Sequence, residues 1–141
     1  MNNIKNILEL CKKYYNEDKF EHAKRVALHV PVIGKLFNPK QKDWDGVICL
    51  ALAHDLYEDT TIERGKYFDD KFEKNLLLLT RDKNTKYTNY ISNIRAAALA
   101  DENYLAAYIV KLADMWDHLN QTETLTDKRK EKYIKALPYL L

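Results

Sequence analysis

The sequence has little of what turn-rich, disulfide-stabilised or membrane proteins require. Its 141 residues include three glycines, three prolines and two cysteines, and Leu, Ala, Lys, Glu, Asn and Tyr dominate the remainder, which favours helices over the dense turns of a sandwich or barrel. No apolar run approaches the roughly 20 residues that span a bilayer, and the polar start lacks the apolar segment of a signal peptide. We therefore expect an all-α, cytoplasmic protein that does not associate with membranes.

An excess of charge of one sign is also lacking. The 23 basic and 21 acidic residues are interspersed and give a net charge of +2, so no nucleic-acid partner is expected. Cys11 and Cys49 lie in apolar patterns without C-x-x-C spacing, which predicts reduced core residues. The length predicts one domain over residues 1–141, and dimerisation remains open.

Apolar residues recur at helical spacing along most of the chain. A first helix is predicted from Ile4, and a second from about Lys19 to Pro31, where the proline ends or kinks it. The segment "WDGVICLALAHDLY" is almost continuously apolar and predicts a buried central helix capped by Asp43. A polar connector, "RDKNTKYTNY", precedes the helical run "ISNIRAAALA", and Thr126 is the predicted cap of the last helix.

The central helix runs directly into the acidic stretch "AHDLYEDT". His54 and Glu58 are four residues apart, as are Asp55 and Asp59, so all four side chains are expected near one another at the end of this helix. Negative charge is unfavourable at a helix C-terminus, and three carboxylates repel one another. A divalent metal ion would offset this cost, because imidazole and carboxylate groups are its usual ligands.

Two residues elsewhere in the chain complete a candidate ligand set. His22 precedes the acidic stretch on a separate predicted helix. Asp114 is expected on an apolar helical face, where an acid should be paired or metal-bound. The residues of that face are Ile109, Leu112, Ala113 and Trp116. Two histidine nitrogens and two carboxylates, from His22, His54, Asp55 and Asp114, suit a six-coordinate ion such as manganese, iron or magnesium.

The order of these motifs resembles that of the HD-domain phosphohydrolases. "HAKRVA" surrounds the first candidate ligand, "AHDLYEDT" the second and third, and "VKLADMWDHL" the fourth. With "LLLLTR" and "YTNYI" between them, residues 22–119 are similar to the small, free-standing relatives of the RelA/SpoT alarmone hydrolases. The resemblance implies a helical HD-domain bundle with one metal ion, usually manganese, that hydrolyses a phosphate ester or pyrophosphate bond in a nucleotide. In the best-known members, the 3′-pyrophosphate of guanosine tetraphosphate or pentaphosphate, the alarmones of the stringent response, is removed.

The resemblance assigns roles to individual residues. The positions that match the family's metal ligands are His22, His54, Asp55 and Asp114. Glu58 and Asp59 match the acidic pair that orients and deprotonates the attacking water, and a general base within one helical turn of the ligands agrees with this role.

The segments that would recognise the substrate depart from the family pattern. The first histidine usually follows a basic loop of the kind R-K-x-G-x-P-Y, but here "YYNEDKFE" precedes it, so Lys19 and Lys13 are the candidate replacements. The family commonly has asparagine four residues after the fourth ligand, where this chain has His118.

Three further residues are candidates for substrate contacts. Tyr87 and Tyr90 could stack on a base or pack a helix start. Lys111 could contact phosphate, or extend along its helix into solvent. In contrast, we interpret Asp117 and the run "DKRKEK" as solvated charges and His29 as a histidine without a motif partner.

Two other functions remain open at this point. A 5′-nucleotidase, or a phosphatase acting on a phosphorylated nicotinamide dinucleotide, would use the same metal site and release phosphate instead of pyrophosphate. A regulatory module that binds a nucleotide or a partner without turnover is the third hypothesis, although such a module does not need the costly acid pair Glu58 and Asp59.

Overall fold

Helices provide the regular secondary structure of the chain. The computed structural model describes residues 3–121 and 125–141, and those two ranges contain no β-strand. The all-α prediction is therefore confirmed. A 3₁₀ turn (Glu102–Tyr104) precedes the seventh helix. The helices are α1 (Ile4–Tyr14), α2 (Glu17–Phe37), α3 (Asp45–Ala53), α4 (Leu56–Asp59), α5 (Asp70–Leu79), α6 (Tyr87–Ala100), α7 (Leu105–Asn120) and α8 (Asp127–Leu140).

Polar side chains set several of the helix starts. Four residues each accept a hydrogen bond from the backbone N–H three positions ahead, which satisfies a donor that the first helical turn leaves unpaired. These residues are Asn3, Asn16, Asp69 and Thr126. The predicted cap at Thr126 is thus confirmed, whereas the one at Asp43 is wrong. Trp44 occupies the cap position of α3, and the Asp43 carboxylate accepts the Asp45 N–H at 3.0 Å.

The second helix does not end at its proline. Pro31 lies inside α2, which continues to Phe37, although an interior proline costs about 3 kcal/mol through a lost hydrogen bond and a steric clash. Val30 and Gly34 on either side are buried, and α2 packs along both α3 and α7. This packing outweighs the local preference, as tertiary contacts commonly do.

A close approach between α2 and the start of α3 depends on Gly34. A Cβ atom at this position would overlap the six-membered ring of Trp44. Trp44 is itself buried, so its ring has no free space into which to move. The backbone of Gly34 has ordinary helical geometry. Glycine is therefore required here by packing and not by backbone conformation.

The third helix forms the centre of the molecule, as predicted. Every residue from Cys49 to Ala53 is buried, and α3 contacts α1, α2, α5 and α7. Cys11 of α1 and Cys49 are both buried and not joined in a disulfide, and burial raises the pKa of the Cys11 thiol to about 12. Both cysteines are therefore core residues, as expected.

The central helix does not continue through the acidic stretch. The expectation of one helix through Glu58 and Asp59 is wrong, because α3 ends at Ala53 and the short α4 begins only at Leu56. His54 takes over the Ala51 carbonyl, which accepts both the His54 backbone N–H at 3.3 Å and its ring nitrogen Nδ1 at 2.6 Å. A side chain that bonds nearby backbone competes in this way with the helical ladder.

Tyr15, the residue that follows α1, bridges this break. Its hydroxyl donates to the Leu52 carbonyl at 2.8 Å and accepts the Asp55 N–H at 3.2 Å. In a continuous helix the Asp55 N–H would bond the carbonyl of Ala51, four residues earlier. A contact from the residue that follows α1 therefore fixes the turn that carries His54 and Asp55.

Two smaller expectations also need correction. The sixth helix begins at Tyr87, within the segment predicted as a polar connector. Trp116 was expected on the buried face of α7 but is 57% exposed, whereas Ile109 and Ala113 are buried as expected. In the described ranges, no helix has both the length and the apolar character needed to cross a membrane.

Candidate metal centre

Three imidazole nitrogens converge on one carboxylate oxygen in the interior. The oxygen is Oδ1 of Asp114 on α7. Nε2 of His22, on α2, lies 2.8 Å from it. Nε2 of His54, in the turn after α3, and Nε2 of His118, one turn further along α7, each lie 3.2 Å from it. Side chains from three separate parts of the chain therefore meet at a single point.

Asp55 adds a second carboxylate to this cluster. Its Oδ2 lies 3.2 Å from Nε2 of His54 and 4.0 Å from Nε2 of His22. The candidate ligand atoms of His22, His54 and Asp55 all lie within 4.8 Å of one another, as do those of His22, Asp114 and His118. The structure therefore brings together the four residues predicted as metal ligands, and His118 with them.

Two of the imidazoles, those of His22 and His54, are bonded through Nδ1 to groups outside the cluster, and these bonds leave Nε2 as the acceptor that faces the cluster. Nδ1 of His54 lies 2.6 Å from the Ala51 carbonyl oxygen, which can only accept, so Nδ1 carries a proton. Nδ1 of His22 lies 2.7 Å from a carboxylate oxygen of Asp117 and donates in the same way. When these rings are neutral, Nε2 of each histidine carries a lone pair that is directed at the Asp114 carboxylate.

This arrangement fits a metal ion. A lone pair facing a carboxylate oxygen is repulsive unless each ring gains a second proton or a cation lies between the groups. Without a cation, a second proton is favoured: burial lowers the pKa of His54, but Asp55 and Asp114 outweigh that effect and raise the pKa well above its ordinary value. Metal-binding histidines commonly have this pattern, with one nitrogen held by a carboxylate or carbonyl and the other on the metal. These buried histidines and aspartates could hold a metal ion.

The electrostatics of the carboxylates agree with a cationic centre. Burial by itself raises the pKa of Asp55, yet the neighbouring His54 lowers it to about 2. For Asp114, burial is likewise outweighed by Lys111 and by the three histidines, which together hold its pKa well below the ordinary value. Both carboxylates therefore remain ionised and available as ligands.

Asp117 is a buried partner of His22, so its interpretation as a solvated charge is wrong. It is 1% exposed, and besides His22 it bonds Nε of Arg25 at 3.0 Å. His29, which has no motif partner in the sequence, places Nε2 at 3.4 Å from Asp117 Oδ1. Asp114 and Asp117 are three residues apart and face α2 together, a spacing that could have indicated this role in the sequence.

Lys111 is buried and bonds the Asp114 carboxylate of the same centre. It is 7% exposed, and its Nζ lies 2.8 Å from Oδ2 of Asp114. The prediction that it extends along the helix into solvent is therefore wrong. Because Lys111 holds the second oxygen of Asp114, it orients the first oxygen toward the three histidines.

The predicted acid pair lies on α4 at the edge of the cluster. Glu58 and Asp59 are exposed, and their carboxylates form a group with that of Asp55 in which the candidate ligand atoms lie within 4.8 Å of one another. Oε1 of Glu58 accepts the backbone N–H of Arg81 at 2.7 Å, and Oδ2 of Asp59 pairs with Nζ of Lys19 at 2.7 Å. Thus Lys19 reaches the site through Asp59.

Two other residues predicted to contact substrate, Tyr90 and Lys13, have other surroundings in the structure. Tyr90 is buried, and its hydroxyl donates to the Leu79 carbonyl, which gives it a packing role. Lys13 is exposed on α1, with its ammonium 5.3 Å from the ring centroid of the adjacent Tyr14 and not among the site residues.

Three basic side chains surround the ring of Tyr87, and two of them come from distant helices. The Arg81 guanidinium carbon lies 5.5 Å from the ring centroid, Lys111 Nζ 5.6 Å and Lys132 Nζ 4.3 Å. The hydroxyl of Tyr87 is buried, and burial raises its pKa although Lys111 and Arg81 offset part of that effect. Lys132 belongs to the exposed run interpreted as a solvated face, and partial burial together with the charges of Arg81 and Lys111 lowers its pKa.

Comparison with known proteins adds no assignment. No protein-family model matches the chain, and no curated protein matches it.

Proposed function

We propose that the protein is a metal-dependent phosphohydrolase of the HD-domain type that acts on a nucleotide. One observation carries the proposal: the residues that match the family's motifs, although spread over 93 positions from His22 to Asp114, lie together in space. Four of them form the histidine and aspartate cluster, and the other two lie at its edge. The four are His22, His54, Asp55 and Asp114, and the two are Glu58 and Asp59.

The cluster and the acid pair divide the chemistry between them. His22, His54, Asp55 and Asp114 would hold the divalent ion, which when bound supplies charge neutralisation at phosphate and a lowered pKa for a water molecule. Manganese is the ion expected from the resemblance. Asp59 has one oxygen occupied by the ammonium of Lys19, whereas Glu58 accepts a neutral backbone N–H. We assign proton acceptance to Glu58 and positioning of Lys19 to Asp59.

Basic side chains near the acid pair support a phosphorylated substrate. Lys19 borders the pair on one side, and Arg81, bonded to Glu58 through its backbone, borders it on the other. Arg81 and Lys132 surround the ring of Tyr87. Cations of this kind recognise phosphate groups. The substrate we propose is guanosine tetraphosphate or a close relative, with loss of the 3′-pyrophosphate.

The test is metal-dependent turnover of a nucleotide panel that includes guanosine tetraphosphate. Metal-depleted protein should be inactive and should regain activity with a divalent ion. Glu58→Gln should lower kcat by at least about a hundredfold, the usual contribution of general base catalysis, without weakening metal binding. Glu63→Gln, at an exposed glutamate outside the site, is the matched control. Absence of turnover by protein shown to contain the metal would refute the proposal.

A phosphomonoesterase is the second candidate, and one observation favours it. Only Tyr15 and Asn16 separate α1 from α2, so the chain has no room there for a basic nucleotide-holding loop. The substrate would then be a 5′-nucleotide or a phosphorylated nicotinamide dinucleotide. Product analysis distinguishes the two enzymes, since this one releases phosphate and the first releases pyrophosphate.

A further inference from the structure

His118 is placed as a member of the metal cluster and not at its edge. Its Nε2 lies 3.2 Å from Asp114 Oδ1, the oxygen that also faces His22 and His54. The candidate ligand atoms of His22, Asp114 and His118 all lie within 4.8 Å of one another. A role confined to substrate contact, as its sequence position suggested, does not account for a nitrogen directed at the buried carboxylate.

The surroundings of His118 hold its ring in this orientation. The ring stacks on Tyr133 of α8, with centroids 4.8 Å apart and planes inclined by 13°. On the other side, its centroid lies 4.4 Å from that of His22. The side chain is 27% exposed, so contacts on two sides restrict its rotation. Restricted rotation of this kind preorganises a ligand.

We propose that His118 is a third imidazole ligand of the metal ion. The inference rests on the proposed metal centre and concerns which ion that centre takes. Carboxylate and water ligands suit magnesium and manganese, whereas imidazole nitrogens favour iron, nickel, copper and zinc. With three imidazoles against two carboxylates, the centre favours the second group over manganese. His118 is then the residue that determines metal specificity.

The direct test counts the coordinated imidazoles. Protein with ¹⁵N-labelled histidine is depleted of metal and loaded with ¹¹³Cd²⁺, and NMR detects each nitrogen that is coupled to the ion. We expect three coupled nitrogens in the unchanged protein and two in His118→Phe, which retains an aromatic ring against Tyr133. His29→Phe is the matched control and should keep all three, because His29 contacts Asp117 and not Asp114.

A second measurement follows the metal preference. Titration of metal-depleted protein with Zn²⁺ and Mn²⁺ gives the affinity for each ion. His118→Phe should lower the Zn²⁺ affinity by at least about tenfold, since even the loss of a residue that only supports a ligand costs about that much. The Mn²⁺ affinity should fall less, because Mn²⁺ prefers oxygen ligands, so the ratio of the two affinities decreases. Two coupled nitrogens in the unchanged protein would overturn the inference, and so would an unchanged affinity ratio. Metal binding and hydrolysis that persist with either result would leave the proposed function standing. Absence of any metal binding would refute both.

Discussion

The hydroxyl of Tyr15 offers a sensitive test of how the fold builds the site. Tyr15→Phe removes one oxygen and leaves the buried ring in place. The hydroxyl donates to the Leu52 carbonyl at 2.8 Å and accepts the Asp55 N–H at 3.2 Å. Burial and the neighbouring Asp55 raise the pKa of Tyr15 well above its ordinary value, so the group is protonated and able to donate throughout the usual pH range.

The expected cost follows from the groups that lose their partner. The Leu52 carbonyl keeps a weak bond from Sγ of Cys11 at 3.3 Å, so its loss is partial. The Asp55 N–H loses the bond that replaces a helical one, and an unsatisfied buried donor costs about 1–3 kcal/mol. We therefore expect the free energy of unfolding to fall by about 1–3 kcal/mol.

The same substitution should weaken the metal site beyond its effect on stability. Without the hydroxyl, the Asp55 N–H is free to seek the Ala51 carbonyl, which competes with the Nδ1 bond that orients His54. Loss of an interaction that orients a ligand typically reduces metal affinity by about 10–100-fold. Urea denaturation of metal-free protein measures the first effect, and metal titration measures the second.

A neighbouring tyrosine supplies the control. Tyr14→Phe removes the hydroxyl of the last residue of α1, which bonds Tyr67, and should change metal affinity little. Neutral surface changes ordinarily alter the free energy of unfolding by no more than about 0.5 kcal/mol. If Tyr15→Phe stays within that range and also leaves metal affinity unchanged, the bridging role of Tyr15 is wrong.

Four other predictions follow from individual contacts. Gly34→Ala should lower the free energy of unfolding by about 1–3 kcal/mol because the added methyl overlaps Trp44; equal stability in urea would contradict this packing. Asp117→Asn should reduce metal affinity about 10–100-fold through loss of the charge that supports His22, as calorimetric titration can measure. Chelation should lower the thermal midpoint, since an ion at a hundred times its Kd contributes about 2.7 kcal/mol; identical melting curves with and without chelator would argue against a bound ion. Lys132→Gln should raise KM with little change in kcat if its charge contacts phosphate, whereas an unchanged KM would limit it to packing.

The class of fold and the main ligand candidates are accessible from the sequence because they depend on local patterns. Apolar residues at helical spacing and the scarcity of glycine and proline indicate an all-helical chain. His54 and Asp55 follow the most apolar segment directly, so a position next to the core could be expected for both. Asp114 lies among Ile109, Ala113 and other apolar residues of one helix, and an acid in such an apolar setting requires a partner.

Other features of the site depend on residues that are far apart in the chain. Asp117 and Lys111 have the composition of ordinary helix surface, and only the packing of α7 against α2, α3 and α6 buries them. Lys132 belongs to a basic run typical of a solvated face, yet its position on α8 places its ammonium over Tyr87. No local pattern distinguishes Lys111 and Lys132 from solvated charges, whereas Asp117 lies three residues after Asp114, a spacing that places both acids on one helical face.

The sequence by itself determined that the chain is helical, that its most apolar helix leads into an acidic cluster, and that His22, His54, Asp55 and Asp114 are candidate metal ligands. The tertiary structure decided how that cluster is built. It ends α3 at Ala53, because the Tyr15 hydroxyl and the His54 ring take over bonds that a continuous helix would make. It also directs His118 at Asp114. The physical reason is that burial and hydrogen bonding between distant segments arise only once the helices have packed.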